Sequence, residues 1–291
     1  MTCRWITRLA TLFVLAASYV PHPAAAQANA GGWQVVLAAG DSAQPVFDNA
    51  TRALSAMLVG KGVPPANIHR LTSNPRELGT AAPAVKSVLL QTIAGLNGSR
   101  CLIFLTSHGT HEGDFYLAGR NEVLTPNELA GALALGCGRV PTVVIVSACF
   151  SGAFASGAMD WPNRIILTAA RADRPSFGCA ADRDYTYFDS CLLGVLQVAP
   201  SWRAVYDQTA ACVRQTEQQT NQTPSEPQAY FGPAFSALPV FIAGDTAHPA
   251  FADATRALGT MLAASVSAVP SGRFGFGESE LGRSPPLFRL D

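Results

Sequence analysis

Apolar positions along the chain fall into two alternating rhythms. Continuous apolar runs at Trp33–Ala39, within Arg100–Ser107, at Thr142–Ala148 and at Ile165–Ala170 are the pattern of strands buried on both faces. Between them, apolar residues recur at helical spacing. Val46–Leu58 places Phe47, Ala50, Leu54, Met57 and Leu58 on one face, and Pro83–Leu96 carries Pro83 in its first turn and Gly98 beyond its end. Pro126–Leu135, Asp189–Val198 and Trp202–Thr216 read as further helices. Asn67–Thr72 and Ala237–Ala243 read as shorter strands, and Asp114–Thr125 as a small hairpin. Strands alternating with helices predict an α/β fold with a mostly parallel central sheet of about six strands, flanked by helices. Functional sites in such sheets form beyond the C-terminal ends of the strands.

The ends of the chain carry different patterns. Arg4 and Arg8 precede an apolar run, Leu9–Val20, that is too short to span a bilayer comfortably; Pro21 and Pro23 break it, and Ala24-Ala25-Ala26 supplies small residues. This predicts a signal peptide over 1–26 and a protein exported to the periplasm or secreted, with no membrane association once the leader is removed; a membrane anchor is the competing reading. Glu217–Gln228 is polar, with Pro224 and Pro227, and reads as a loop. Ser267–Asp291, rich in Gly, Pro, Ser and charge, reads as a disordered tail. Val36–Leu58 also recurs at Val240–Leu262, with 14 of 23 positions identical. One copied strand–turn–helix unit is too few for a solenoid. The second copy packs on the sheet edge, replaces the first copy, or is a relic; the sequence does not choose.

Composition narrows the function classes. Hydrophobic residues make up 48% and charged residues 14%, enough for a sizeable core. Lys plus Arg and Asp plus Glu balance at 20 each, with no basic block, which argues against nucleic acid and anionic membrane surfaces as partners. Seven cysteines less Cys3 leave six after the leader, with no C-x-x-C pair, so a zinc ribbon or a thioredoxin-type site is not expected. One nucleophilic cysteine among six leaves an odd number, so at least one other thiol stays free or pairs outside the chain.

The two most apolar strands run into reactive residues. Leu102–Ser107 leads into His108-Gly109, and Val143–Ala148 into Cys149. As neighbours in a parallel sheet these strands lie about 5 Å apart, which sets an imidazole beside a thiol on one rim, the arrangement that activates a cysteine nucleophile. Gly109 lets its backbone N–H approach a substrate carbonyl, and with the N–H of Cys149 it forms a candidate oxyanion hole. A buried cysteine or a turn histidine alone is more often structural; their joint placement is the signal. His111 is the rival imidazole, three residues further into the loop. Ser151 fails as a hydrolase elbow, because Cys149 and Ala153 stand where glycines are required.

The two-part pattern, apolar run–His108-Gly109 and apolar run–Ala148-Cys149-x-x-Gly152, resembles the legumain family of cysteine peptidases, relatives of the caspases. Ile166–Cys179 resembles the family's strand and substrate-lining loop, Asp184–Phe188 the segment that follows, and Trp33–Asp41 its first strand. The resemblance implies a caspase-like three-layer sandwich over residues 30–245, with 246–291 left for the partial repeat and tail. It implies peptide-bond hydrolysis through an acyl-enzyme: Cys149 is the nucleophile, His108 the general base and acid, and Gly109 an oxyanion donor. The partner is a peptide or protein substrate, and no metal or organic cofactor is implied.

Departures bear on specificity. Ser147 stands where the family has an acidic pocket residue. Asp41-Ser42 follows the first strand, where the family has an Asn and then an Arg, and Arg52 falls inside the predicted helix. Arg171 or Arg174 is the candidate pocket cation, and Ser176 lies in the lining loop. Asp41 either orients His108 or caps the next helix. Cys101 and Cys137, just before neighbouring strands, are one candidate disulfide; Cys191 and Cys212, on consecutive helices, are another. A transpeptidase or ligase using the same dyad, and a non-catalytic binding module, are the alternative functions, and oligomeric state stays open.

Overall fold

A computed structural model describes residues 32–180, 182–234 and 240. The expected leader, the tail, the strand expected at Ala237–Ala243 and the second copy of the repeat lie outside the described residues, Val240 excepted.

The apolar runs form the middle of the sheet. Strands β1 (Trp33–Ala39), β2 (Ile68–Thr72), β3 (Ala82–Pro83), β4 (Arg100–Thr106), β7 (Thr142–Ser147), β8 (Arg164–Thr168) and β9 (Gln228–Phe231) line up in the order β3-β2-β1-β4-β7-β8-β9. All neighbours are parallel except β9, which runs antiparallel to β8. Among the described residues the sheet therefore has seven strands, where sequence pattern predicts about six. Strand β9, of which only Gln228 falls in an element expected from the sequence (the end of the loop), is a short strand with all four residues half-buried, so it lacks an apolar run. A hairpin of β5 (Phe115–Leu117) and β6 (Glu122–Leu124) stands apart, where it was expected.

Helices cover both faces. Val35, Leu37, Leu102, Phe104, Val143, Ile145, Ile165 and Leu167 point to one side, against α1 (Pro45–Gly60), α4 (Tyr187–Val195) and α5 (Trp202–Gln219). The alternate residues Val36, Ala38, Ile103, Leu105, Val144, Val146 and Ile166 point to the other, against α2 (Lys86–Ala94) and α3 (Pro126–Gly136). Period-two alternation of strand side chains, with both sets apolar, gives a three-layer sandwich. Phe104 is fully buried at its centre; truncation to alanine is expected to cost about 3–5 kcal/mol.

Local signals set the helix starts. Thr125 and Glu128 form a reciprocal capping box on α3, and Thr186 and Ser201 cap α4 and α5. Pro83, read as the first turn of a helix, ends β3 instead, and α2 begins at Lys86. Helix α5 runs three residues past Thr216, because Glu217 is buried and its carboxylate accepts from the Ser225 N–H at 3.0 Å.

Both candidate disulfides are present. Cys101–Cys137 ties the start of β4 to the end of α3, at the rim away from His108, and Cys191–Cys212 joins α4 to α5. Among the described residues, Cys149 and Cys179 are the two free thiols.

Candidate active site

One step of the sheet ladder organises the site. Ala39 pairs with Thr106 across β1 and β4, and Thr106 pairs with Ser147 across β4 and β7. Two residues beyond these three partners stand Asp41, His108 and Cys149, so all three leave the rim at the same height. Backbone bonds extend the alignment past the strands: Ser107 N–H donates to Ser147 O (3.1 Å) and Gly40 N–H to Thr106 O (3.0 Å).

His108 is fixed from its own backbone and from its flanks. Its carbonyl accepts from Tyr116 N–H at 3.0 Å, tying the loop to β5. The Phe47 ring on α1 meets the imidazole edge-on at a centroid distance of 5.2 Å. Asp41 Oδ2 lies 3.6 Å from His108 Nε2. Burial pushes the imidazole below its usual pKa, and the Asp41 carboxylate pulls it part of the way back. A neutral imidazole at neutral pH, with an anion waiting for the imidazolium, is the electrostatic state of a general base.

Asp41 is not a helix cap. Helix α1 begins at Pro45, with Gln44 before it and no side-chain cap. Asp41 Oδ1 accepts from Ala43 N–H at 2.8 Å, an Asx turn that leaves Oδ2 facing the imidazole. Of the two sequence readings of Asp41, the geometry fits the orienting one.

Cys149 ends a sharp turn. Phe150, the next residue, is left-handed at φ 56°, and a short 3-10 helix follows at Ser151–Ala155. A bulky residue in this region is strained; the turn is held by Phe150 N–H donating to Arg174 O at 2.8 Å. The sulfur rests on Ser176: the Ser176 N–H donates to Sγ at 3.3 Å, and Sγ lies 3.4 Å from the Ser176 carbonyl oxygen. Gly109 is pressed against the same residue. A Cβ on Gly109 would stand 1.9 Å from Cys149 O, so only glycine fits. Among the described residues, neither Gly109 N–H nor Cys149 N–H is committed to another backbone carbonyl.

The competing residues are occupied elsewhere. Ser151 is buried, and its hydroxyl accepts from Ala170 N–H at 3.3 Å. The His111 ring lies on Phe150, 4.3 Å between centroids. Arg171 pairs with Asp173 and Glu226, and Arg174 pairs with the same Glu226. Both candidate pocket cations therefore carry a shared counter-ion, Glu226, on the segment before β9. Ser147 is buried rather than exposed on a pocket wall.

Sequence pattern misses Asp189. It sits on α4, fully buried beneath the rim, and accepts from the Thr106 hydroxyl at 2.7 Å. Burial pushes its carboxyl up to about 6, against the hydroxyls of Thr106, Ser147 and Thr186, which pull it down. Thr106 and Ser147 are the paired residues under His108 and Cys149, so Asp189 bonds to the base of the site. An acidic residue on an otherwise apolar helix face was the available signal. Cys179, the other free thiol, packs beside Ala39, Val46 and Phe47; burial pushes it up to about 12, so it stays protonated at neutral pH. No group of metal-ligating side chains occurs among the described residues.

Comparison with known proteins follows the geometry. The sequence model of the Peptidase C13 family matches residues 88–240, a little over half of the chain. The match includes His108, Cys149, Ser176 and Asp189 but not Asp41. The fold is similar to that of caspase-1 from Spodoptera frugiperda, with a TM-score of 0.51 and 13% identity over 75% of this chain and 92% of that one. A Geobacter sulfurreducens protein aligns with a TM-score of 0.49 and 13% identity, over 72% and 98% of the two chains. No curated protein matches the sequence.

Proposed function

Because the chain belongs to the peptidase C13 family, whose members are cysteine peptidases, we propose that it is an exported endopeptidase in which Cys149 forms the acyl-enzyme and His108 moves the protons. The observation that carries this reading is the shared ladder step that sets Asp41, His108 and Cys149 side by side.

In the proposed cycle His108, neutral because it is buried, takes the Cys149 proton. The thiolate attacks the scissile carbonyl. The N–H groups of Gly109 and Cys149 receive the developing oxyanion, and the close approach of Gly109 to Cys149 brings their backbones together. The imidazolium, stabilised by Asp41, protonates the departing amine. Water activated by His108 then releases the acyl group and restores the thiol. The Ser176 N–H, already on the sulfur, steadies the thiolate formed when His108 takes the proton.

Export is supported by the leader-like segment 1–26 and by two disulfides, which persist in oxidising compartments. Peptidase activity is tested with a peptide library incubated with the chain beginning at residue 27, beside Cys149→Ala and His108→Ala. Cleavage by the parent alone supports the reading. Cleavage that persists in Cys149→Ala removes it.

A further inference from the structure

Beyond Asp41, the His108 flank of the site opens into a cavity of about 630 Å³ whose other walls play no part in the chemistry above. Its walls include Asp41, Ser42, Asp48, Arg52, Asn74 and Arg76, from the rim ends of β1 and β2 and from α1.

The reaction dictates which half of a substrate reaches it. The acyl half stays bonded to Cys149, while the amine half leaves with a proton from His108. Residues after the scissile bond therefore run from Cys149 past His108 and on toward Asp41. Along the sheet the order is β7, β4, β1, β2, at about 5 Å per strand. The cavity thus begins about 10 Å from the strand of Cys149. An extended chain advances about 3.3 Å per residue, so the second and third residues after the cut arrive there.

Charge selects what binds. The two carboxylates of the cavity are committed. Asp48 is buried at 2% exposure and accepts from the Thr72 hydroxyl at 2.6 Å. Asp41 accepts from Ala43 N–H and faces His108. The guanidiniums are the groups that reach solvent. Arg52 pairs with Glu77 yet keeps 45% of its side chain exposed, and Glu77 is shared with Arg70, so one carboxylate serves two cations. Arg76 is exposed and makes no side-chain hydrogen bond or ion pair among the described residues.

We infer that this cavity is a substrate subsite for the leaving half of the peptide, and that it takes an aspartate or glutamate side chain, two or three residues after the scissile bond, on Arg76 and Arg52. The assignment of the leaving half rests on the peptidase reading; the preference for an acidic side chain rests on the cavity.

Two measurements keep these apart. In the first, the full chain from residue 27 carrying Cys149→Ala is titrated calorimetrically with Gly-Asp-Asp-Gly amide and its neutral isostere Gly-Asn-Asn-Gly amide, and again with Arg76→Glu added. The acidic peptide is expected to bind about fivefold more tightly at low salt, and to lose that advantage in Arg76→Glu and in 1 M salt. Equal affinity for the two peptides, or an acidic preference that survives Arg76→Glu, overturns the inference. In the second, turnover of peptidyl dye amides, which have no residues after the cut, is compared between the parent and Arg76→Glu. Equal turnover is expected, since Arg76 touches only the leaving half, and a loss matching that of peptide binding overturns the placement. Failure of the parent to cut any dye amide sinks the peptidase reading, and with it the assignment to a leaving half; the titration still decides whether the cavity selects acidic peptides.

Discussion

Asp41 Oδ2 stands 3.6 Å from His108 Nε2, outside hydrogen-bond range but inside that of a strong charge–charge interaction. The two residues come from neighbouring strands, and the β1–β4 register alone brings them together. Burial lowers the His108 pKa and Asp41 raises it, with burial the larger effect.

From this pair follows a pH prediction. His108 acts as a base only when neutral, so activity falls as pH drops through its lowered pKa. Asp41→Asn removes the influence that opposes burial, so the imidazole pKa drops further and the acid limb of kcat/KM moves to lower pH. The maximal rate falls about tenfold, because the imidazolium loses its counter-charge. A pH–rate profile of both proteins checks this; an acid limb displaced to higher pH contradicts it.

Gly109 is pressed so closely on the Cys149 carbonyl that one methyl group displaces it. Gly109→Ala is expected to lower kcat by about 10²–10³-fold, the loss of one oxyanion donor. A thermal melt beside the parent separates this loss from the destabilisation that a Cβ 1.9 Å from the Cys149 carbonyl oxygen brings. Ser151→Ala, which removes only a structural acceptor for Ala170 N–H, keeps activity within a few-fold.

Asp189 is a stability determinant with a defined sign. Its pKa is raised from 3.8 to about 6, so its neutral form is favoured in the folded protein. Its contribution is fully present below pH ~4 and lost as pH rises through ~6, an effect of up to about 3 kcal/mol. Asp189→Asn, neutral at every pH, should therefore gain stability relative to the parent between pH 4 and pH 7. Melting curves at both pH values measure the difference; a constant offset contradicts it.

The thiol inventory gives a count. Without reductant, the chain from residue 27 should show two alkylatable cysteines once unfolded, Cys149 and Cys179, with the other four held as Cys101–Cys137 and Cys191–Cys212. Breaking either bridge by paired serine substitution is expected to cost about 2–4 kcal/mol. Intact mass and denaturant titration read both quantities.

The central strands and the placement of His108 and Cys149 on one rim were legible because the same residues carry both signals. Leu102–Leu105 and Val143–Val146 are apolar at every position, since both faces of β4 and β7 are covered, and His108 and Cys149 stand where those runs stop. The disulfide pairs were legible for a related reason, as each cysteine lies at a definite place on an element whose neighbours follow from the fold class. What was hidden depends on long-range pairing of polar groups. Asp189 gains its role from Thr106, 83 residues away in sequence. Arg171 and Arg174 are claimed by Glu226, from a loop with no periodic pattern. The contact of Asp41 with His108 was visible only as one of two readings, because the start of α1 at Pro45 separates it from the capping reading.

The central claim is that His108 activates Cys149, and the rate of Cys149 alkylation tests it most directly. Iodoacetamide modification of Cys149, followed by peptide mass at neutral pH, should be at least tenfold faster in the parent than in His108→Ala, with Cys179 unreactive in the folded state of both. Equal rates in the two proteins would contradict the account, because the imidazole would then have no hold on the thiol.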